Sequence, residues 1–308
     1  MKIAVMGTGG VGGYYGGLLA QQGHEVNFIA RGAHLQAIQE KGLQVKSVHG
    51  DFTVFPARAS QEPAEIGLVD LVIFCTKTYD TETAARQIIP LVGSETTVMS
   101  LQNGIDAAER IGAVIGSDHV LGSVTWISSA VESPGVIKQV SQFRRVVLGE
   151  LDSSLTPRLQ AIHQAWRETG ITAEISENIL KILWTKFVFI AAASGVGSLV
   201  RLPLGDYRSI PETRALIAGL MGEVEAVARA QGIALDADVV EQSLAFTDNA
   251  APHIRPSMQL DVESGRRSEL ESMIGVIANK GRALGVPTPV ADFVYAALLP
   301  AELKARRA

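Results

Sequence analysis

The sequence predicts an α/β fold: an N-terminal Rossmann dinucleotide-binding domain joined to a mostly α-helical C-terminal domain. Three observations carry that expectation. The run Gly7-Thr8-Gly9-Gly10-Val11-Gly12 sits between a short apolar stretch and a segment of helical pattern. The first half of the chain then alternates strand and helix signals, and repeated βα units argue for a doubly wound sheet. The second half carries helical spacing, with no convincing strand after Ile175. The boundary is expected near Ser176, giving domains over residues 1–176 and 177–308.

Taken in order, Lys2 to Met6 reads as the first strand, Val11 to Gln22 as a helix and Glu25 to Ala30 as the second strand. Leu43 to Val48 and Asp51 to Phe55 read as a hairpin or two edge strands turning at His49-Gly50. Leu71 to Thr76 is apolar without alternation, as in a buried parallel strand. Asp80 to Ile89 is a helix stopped by Pro90, Thr96 to Leu101 a strand and Ile105 to Ile115 a helix. Further strands are expected near Val120 to Ile127, Gly135 to Val140 and Arg144 to Leu148. Beyond the boundary, Glu177 to Ala193, Ile210 to Gln231, Ala237 to Asn249 and Ser268 to Leu284 read as helices.

Charge and composition narrow the function. The net charge of −5 disfavours nucleic acid as a partner, because a phosphate-backbone binder shows a basic excess. The longest apolar run, between Lys186 and Arg201, contains serines and glycines. It is read as a buried helix followed by a turn, too short to cross a bilayer. Cys75 is the one cysteine, so no intrachain disulfide forms. With no signal peptide at the start, a cytoplasmic location is expected. Six histidines are scattered without metal-binding spacing, so no metal site is expected. There is no G-x-S-x-G hydrolase elbow, and the glycine run lacks the Lys-Ser/Thr of a P-loop.

The glycine run is a G-x-G-x-x-G in strand–turn–helix context. Its first glycine makes the tight turn, its second lets backbone approach a pyrophosphate, and its third allows close helix–strand packing. The helix N-terminus adds amide donors and a positive dipole end. At the end of the second strand, an NAD-binding fold places an acidic residue for the ribose hydroxyl. Here the chain reads Ile29-Ala30-Arg31. A guanidinium grips a 2′-phosphate that a carboxylate would repel, so NADP(H) is the expected cofactor.

With these pieces in view, the chain resembles the ketopantoate reductase (2-dehydropantoate 2-reductase) family over nearly its whole length. The resemblance rests on the opening Met1-Lys2-Ile3-Ala4-Val5-Met6-Gly7, on Arg31, and on Thr76-Lys77-Thr78. It continues through Gln102-Asn103-Gly104, Leu183-Trp184-Thr185-Lys186, Ser257-Met258-Gln259-Leu260-Asp261 and Glu269. It implies a helical domain like the C-terminal domain of 6-phosphogluconate dehydrogenase. It also implies hydride transfer from NADPH to the carbonyl carbon of a 2-oxo acid, with Lys186 as the acid. An ammonium there stabilises the charge that builds on the oxygen. The resemblance makes Glu269 a partner of the substrate hydroxyl and the nicotinamide ribose. It makes Asn103 a contact to substrate and nicotinamide, Lys77 a cofactor contact and Ser257 a holder of the substrate carboxylate.

The residues also have plainer readings: a lysine snorkelling from an apolar helix, a solvated first-turn glutamate, a turn-forming Asn-Gly, a surface lysine and a capping serine. The pattern departs from the family on the substrate side. Ile190, Ser194, Leu204 and Ile274 stand where the family carries asparagines. Ser194 remains the candidate substrate contact on that stretch, and a less polar 2-oxo acid or ketone comes into play. His253 and Arg255 could help bind an anionic substrate. Two alternatives stay open: a relative of the β-hydroxyacid dehydrogenases and a non-catalytic NADP(H) sensor. Apolar faces on the C-terminal helices suit a homodimer without specifying one.

Overall fold

The computed structural model describes residues 1–307. The chain divides into two compact units. One comprises Met1–Gln102 and Asp106–Ile179; the other comprises Asn103–Ile105 and the chain from Leu180 onward.

The first unit is built on twelve strands: β1 (Lys2–Met6), β2 (Glu25–Ile29), β3 (Leu43–Ser47), β4 (Phe52–Val54), β5 (Arg58–Ser60), β6 (Leu71–Phe74), β7 (Thr97–Ser100), β8 (Val120–Trp126), β9 (Ser129–Ser133), β10 (Val136–Gln139), β11 (Arg145–Gly149) and β12 (Thr172–Ile175). Its helices are α1 (Gly10–Gln21), α2 (Gly32–Lys41), α3 (Thr81–Gln87), α4 (Ala107–Ile115) and α5 (Pro157–Glu168). Eight strands form the main sheet in the order β12-β11-β8-β7-β6-β1-β2-β5. Strand β1 pairs in parallel with β2 on one side (Lys2↔Glu25) and with β6 on the other (Ile3↔Leu71). The winding therefore reverses at β1, and the carboxyl ends of β1 and β6 open the crevice where α/β sheets bind ligands. Every residue of β6 is buried, which explains its apolar run without alternation.

The β3–β4 hairpin forms as the sequence predicts, but it belongs to a separate four-stranded sheet ordered β4-β3-β10-β9. Helix α1 lies between the two sheets, and its glycines face both. A Cβ on Gly16 would come within 2.8 Å of the Phe28 ring on the main sheet. One on Gly13 would come within 2.7 Å of Ile137, and one on Gly17 within 3.0 Å of Phe52, on the small sheet. Packing at that distance overrides the poor helix propensity of glycine. Strands β5, β9 and β12 escaped the sequence reading because they are short and largely polar.

The second unit is helical: α6 (Ile179–Val200), α7 (Leu204–Tyr207), α8 (Pro211–Ala230), α9 (Val239–Asn249), α10 (Ser257–Glu263), α11 (Val276–Leu284) and α12 (Pro289–Ala305). A π-helical turn, Glu271–Gly275, leads into α11. Its core gathers Trp184, Phe187, Val188, Leu220, Met221, Val224 and Ile274.

Three expectations need correction here. The helix expected over 177–193 runs on to Val200, through the stretch read as a turn. Gly195 and Gly197 serve close packing there: a Cβ on Gly195 would come within 2.8 Å of Ile274, and one on Gly197 would overlap Gln259 Oε1. At 22 residues α6 is also long and apolar enough to cross a bilayer, contrary to the length argument. Its inner face is instead core of this unit. Finally, Ser268 and Glu269 precede the helical run rather than open it, and α12 was missed although Pro289 at its first turn signals a start.

Candidate active site

In the first unit, the turn after β1 is shaped as a phosphate cradle. Gly7 takes φ +96°, and a Cβ there would press within 2.9 Å of the Thr76 amide. The buried Thr8 pins the turn to the end of β2: its amide and its Oγ1 both donate to Ile29 O, at 3.1 and 3.0 Å. Gly9 is the N-cap of α1, and nothing lies within 4 Å of where its Cβ would point. Gly10 backs onto β9, where a Cβ would lie 2.6 Å from the Ala130 amide. Gly12 backs onto Gly7 O, and a Cβ there would lie 2.9 Å from Val5 Cγ1. Val11 follows half-buried, and the first turn of α1 carries no acidic side chain. The glycine run is thus closed where the protein packs on itself and open at Gly9 alone of the three motif glycines. That is the opening a pyrophosphate needs at a helix N-terminus.

Arg31 follows β2 as the exposed N-cap of α2, with Nη2 donating to Gln87 Oε1 at 3.3 Å. Lys77 follows β6 on a half-buried corner before a single 3₁₀ turn. Two residues to which the sequence assigned no role of their own brace these loops. Gln102 donates from Nε2 to Thr76 O (2.9 Å) and Thr81 Oγ1 (3.1 Å), tying the ends of β6 and β7 together. His34 Nε2 lies 2.7 Å from Thr8 O. Gln102 stands in the Gln102-Asn103-Gly104 run of the resemblance and His34 in no motif, and both act through contacts made only after folding.

In the second unit, Lys186 and Asn103 come together. Lys186 Nζ donates to Asn103 Oδ1 at 2.8 Å, although 83 residues separate them. Asn103 reaches this unit because the loop after β7 departs from the sheet, with Gly104 at φ +106° and Ile105 packing into the helical core. Burial lowers the Lys186 pKa to about 8, while the Glu269 carboxylate pulls it upward. Glu269 is itself 6 % exposed, so it is not a solvated first-turn residue. The arrangement provides one ammonium poised to give up a proton near neutrality, one amide fixing its direction and one carboxylate setting its charge balance.

The family model for ketopantoate reductase PanE/ApbA matches residues 3–153, and that for the PanE/ApbA C-terminal region matches residues 178–302. The chain belongs to the ketopantoate reductase PanE/ApbA family. It is accordingly an oxidoreductase of that family. It is 32 % identical to the uncharacterized oxidoreductase YkpB of Bacillus subtilis, over 97 % of this chain and 98 % of that protein. A PanE/ApbA-family ketopantoate reductase from Ralstonia eutropha superposes with a TM-score of 0.91 at 32 % identity, covering 99 % of this chain and all of that one. A D-mandelate dehydrogenase, solved with NADH and anilino(oxo)acetate, superposes with a TM-score of 0.89 at 25 % identity, covering 99 % of each chain.

Set within the ketopantoate reductase family, the remaining positions separate clearly. Ile190 lies one turn beyond Lys186 on α6, half-buried and packed on the helical core. Ser194 lies a further turn along and is buried. Leu204 and Ile274 are fully buried core residues, and Ile274 fills the space against Gly195. Their apolar character serves packing. Ser257 is the exposed first residue of α10, and the N-cap is Pro256 with no side-chain bond, so Ser257 does not cap that helix. Arg255 donates to Glu263 Oε2 at 2.9 Å, and His253 is exposed. Among the described residues, no group of His, Cys, Asp and Glu is arranged to hold a metal ion.

Proposed function

We propose that the protein reduces a 2-oxo acid to the 2-hydroxy acid with NADPH, using Lys186 as the proton donor. The observation that carries this reading is the Lys186 ammonium, fixed by Asn103 at 2.8 Å and brought to a pKa of about 8. A donor with a pKa near the working pH balances being protonated against readiness to release the proton. When bound, the cofactor supplies a hydride to the carbonyl carbon. The chain's own residues then handle charge. Lys186 stabilises the developing oxyanion and passes its proton to that oxygen, leaving a neutral amine that recovers a proton from water. Asn103 aims the ammonium, and Glu269 keeps it protonated until it is needed.

The residues of the glycine turn fit a dinucleotide, with Gly7, Thr8, Gly9, Gly10, Val11 and Gly12 forming the cradle. The preference for NADPH over NADH rests on Arg31, exposed at the end of β2 where an acidic residue would favour NADH. Lys77, at the end of the neighbouring strand, offers the cofactor a second cation. Ser194 and Ser257 are the proposed hydroxyl contacts to substrate.

The family name points to 2-dehydropantoate as the substrate. A second reading is favoured by the helix face beside Lys186. One and two turns on, that face offers Ile190, Ala193 and Ser194, with a single hydroxyl among them. A hydroxylated side chain placed there gives up hydrogen bonds to water with little in return. The related D-mandelate dehydrogenase was solved with anilino(oxo)acetate, which carries an aromatic ring. An apolar 2-oxo acid is the substrate on this reading. NADPH oxidation with 2-dehydropantoate, phenylglyoxylate and 2-oxoisovalerate compares the two directly. Turnover of any of these acids supports 2-oxo acid reduction, and their ranking chooses the side chain. Loss of NADPH oxidation with every acid in the panel contradicts the proposal.

A further inference from the structure

The segment carrying Glu269 is held on both sides by the last helix. Immediately before it, Ser268 donates twice to one carboxylate oxygen: its amide to Glu302 Oε2 at 2.9 Å and its Oγ to the same atom at 2.7 Å. The other oxygen, Glu302 Oε1, accepts from Arg306 Nε at 3.0 Å. Two residues after Glu269, Glu271 accepts from Tyr295 Oη at 2.9 Å and from Arg306 Nη2 at 2.9 Å. Arg306 therefore links the two carboxylates that flank the Glu269 position. Ser268 and Glu302 are 3 % and 4 % exposed, so these bonds face little competition from water.

The backbone is built around the same clamp. Glu271 opens the π-helical turn, and Gly275 closes it. A Cβ on Gly275 would lie 2.7 Å from Glu271 Oε2 and 3.0 Å from the Tyr295 ring, so the glycine makes room for the Glu271–Tyr295 pair. A buried carboxylate that accepts from a backbone amide, a hydroxyl and a guanidinium is a large investment for a helix that ends a few residues later. Local secondary structure does not require it, because Glu269 O already accepts from Met273 N at 3.0 Å.

We propose that Glu302, braced by Arg306, is a positioning residue that holds Ser268 and thereby fixes the Glu269 carboxylate relative to Lys186. The inference rests on the reading of Lys186 and Glu269 given above, but its test does not depend on turnover. The full chain is prepared with isotope-labelled lysine Cε, and the Lys186 resonance is identified by its loss in Lys186→Arg and titrated with pH.

The wild-type ammonium is expected to titrate at about 8, lowered by burial. Glu269→Gln sets the full size of the carboxylate's influence and is expected to move the titration downward. Glu302→Ala leaves both Ser268 donors without their acceptor and is expected to reproduce most of that shift. Glu302→Gln keeps a carbonyl oxygen for both Ser268 donors but gives up the acceptor for Arg306 Nε, and is expected to shift the titration less than Glu302→Ala does. A structural role alone lowers the melting temperature of Glu302→Ala and leaves the titration where it was, which overturns the proposal. A shift in Glu302→Gln as large as in Glu302→Ala also overturns it, because charge rather than the Ser268 bonds would then be responsible. If Glu302→Ala does not fold, Ser268→Ala removes one of the two bonds. It is expected to shift the titration part of the way, and an unshifted curve counts against the clamp. Activity retained in Lys186→Ala would remove the catalytic reading separately, whatever these titrations give.

Discussion

Adding one methyl group to the phosphate turn separates folding from binding. At Gly9 the backbone has φ −82°, which alanine adopts freely, and no atom lies within 4 Å of the new Cβ. Gly9→Ala is therefore expected to keep or slightly raise stability, by about 0.4–1 kcal/mol, through reduced freedom of the unfolded chain. At Gly12 the new Cβ meets Gly7 O and, at 2.9 Å, Val5 Cγ1. The first obstacle is backbone and cannot rotate away, so Gly12→Ala should cost about 1–3 kcal/mol or more. Binding reverses the order of interest. If the proposed cradle holds the pyrophosphate, the methyl on Gly9 fills its approach, and NADPH affinity should fall at least about tenfold, or about 1.4 kcal/mol. Urea denaturation and fluorescence titration with NADPH measure the two effects on the same samples. Undiminished NADPH affinity in Gly9→Ala, or destabilisation equal to that of Gly12→Ala, would refute the assignment of Gly9 to the ligand side.

Three further outcomes are expected. The rate of reduction should be full below the Lys186 pKa of about 8 and fall as pH rises through it, because the protonated form is the donor; Lys186→Arg should lose that alkaline limb, and a wild-type kcat/KM that stays flat from acid to alkali speaks against it. Arg31→Ala should raise the KM for NADPH about tenfold or more and leave that for NADH nearly unchanged; equal changes for both cofactors would count against a 2′-phosphate contact. Ile190→Asn should move the ratio of kcat/KM towards 2-dehydropantoate and away from phenylglyoxylate by about tenfold or more; an unmoved ratio places Ile190 outside the substrate's surroundings.

The parts of this fold that sequence makes legible are those governed by local rules. The strand–turn–helix at Gly7 to Gly12 needs φ > 0 at one glycine and close packing at another, and the motif encodes both. The buried strand Leu71–Phe74 announces itself by composition. The end of α6 was misjudged because Gly195 and Gly197 look like breakers in isolation, yet tertiary packing against Ile274 and Gln259 keeps them helical. The bond from Lys186 to Asn103 joins a helix to a loop far away in sequence, and only the family resemblance linked them beforehand. The Ser268–Glu302 clamp had no sequence signal, since its donors include a backbone amide and its acceptor lies on a helix the pattern did not reveal.

The account stands most directly on the side chain at position 186. Lys186→Ala should lose about 10²–10⁴-fold in kcat for 2-oxo acid reduction while binding NADPH as tightly as the wild type. Turnover within a few-fold of wild type in that variant would contradict the central claim.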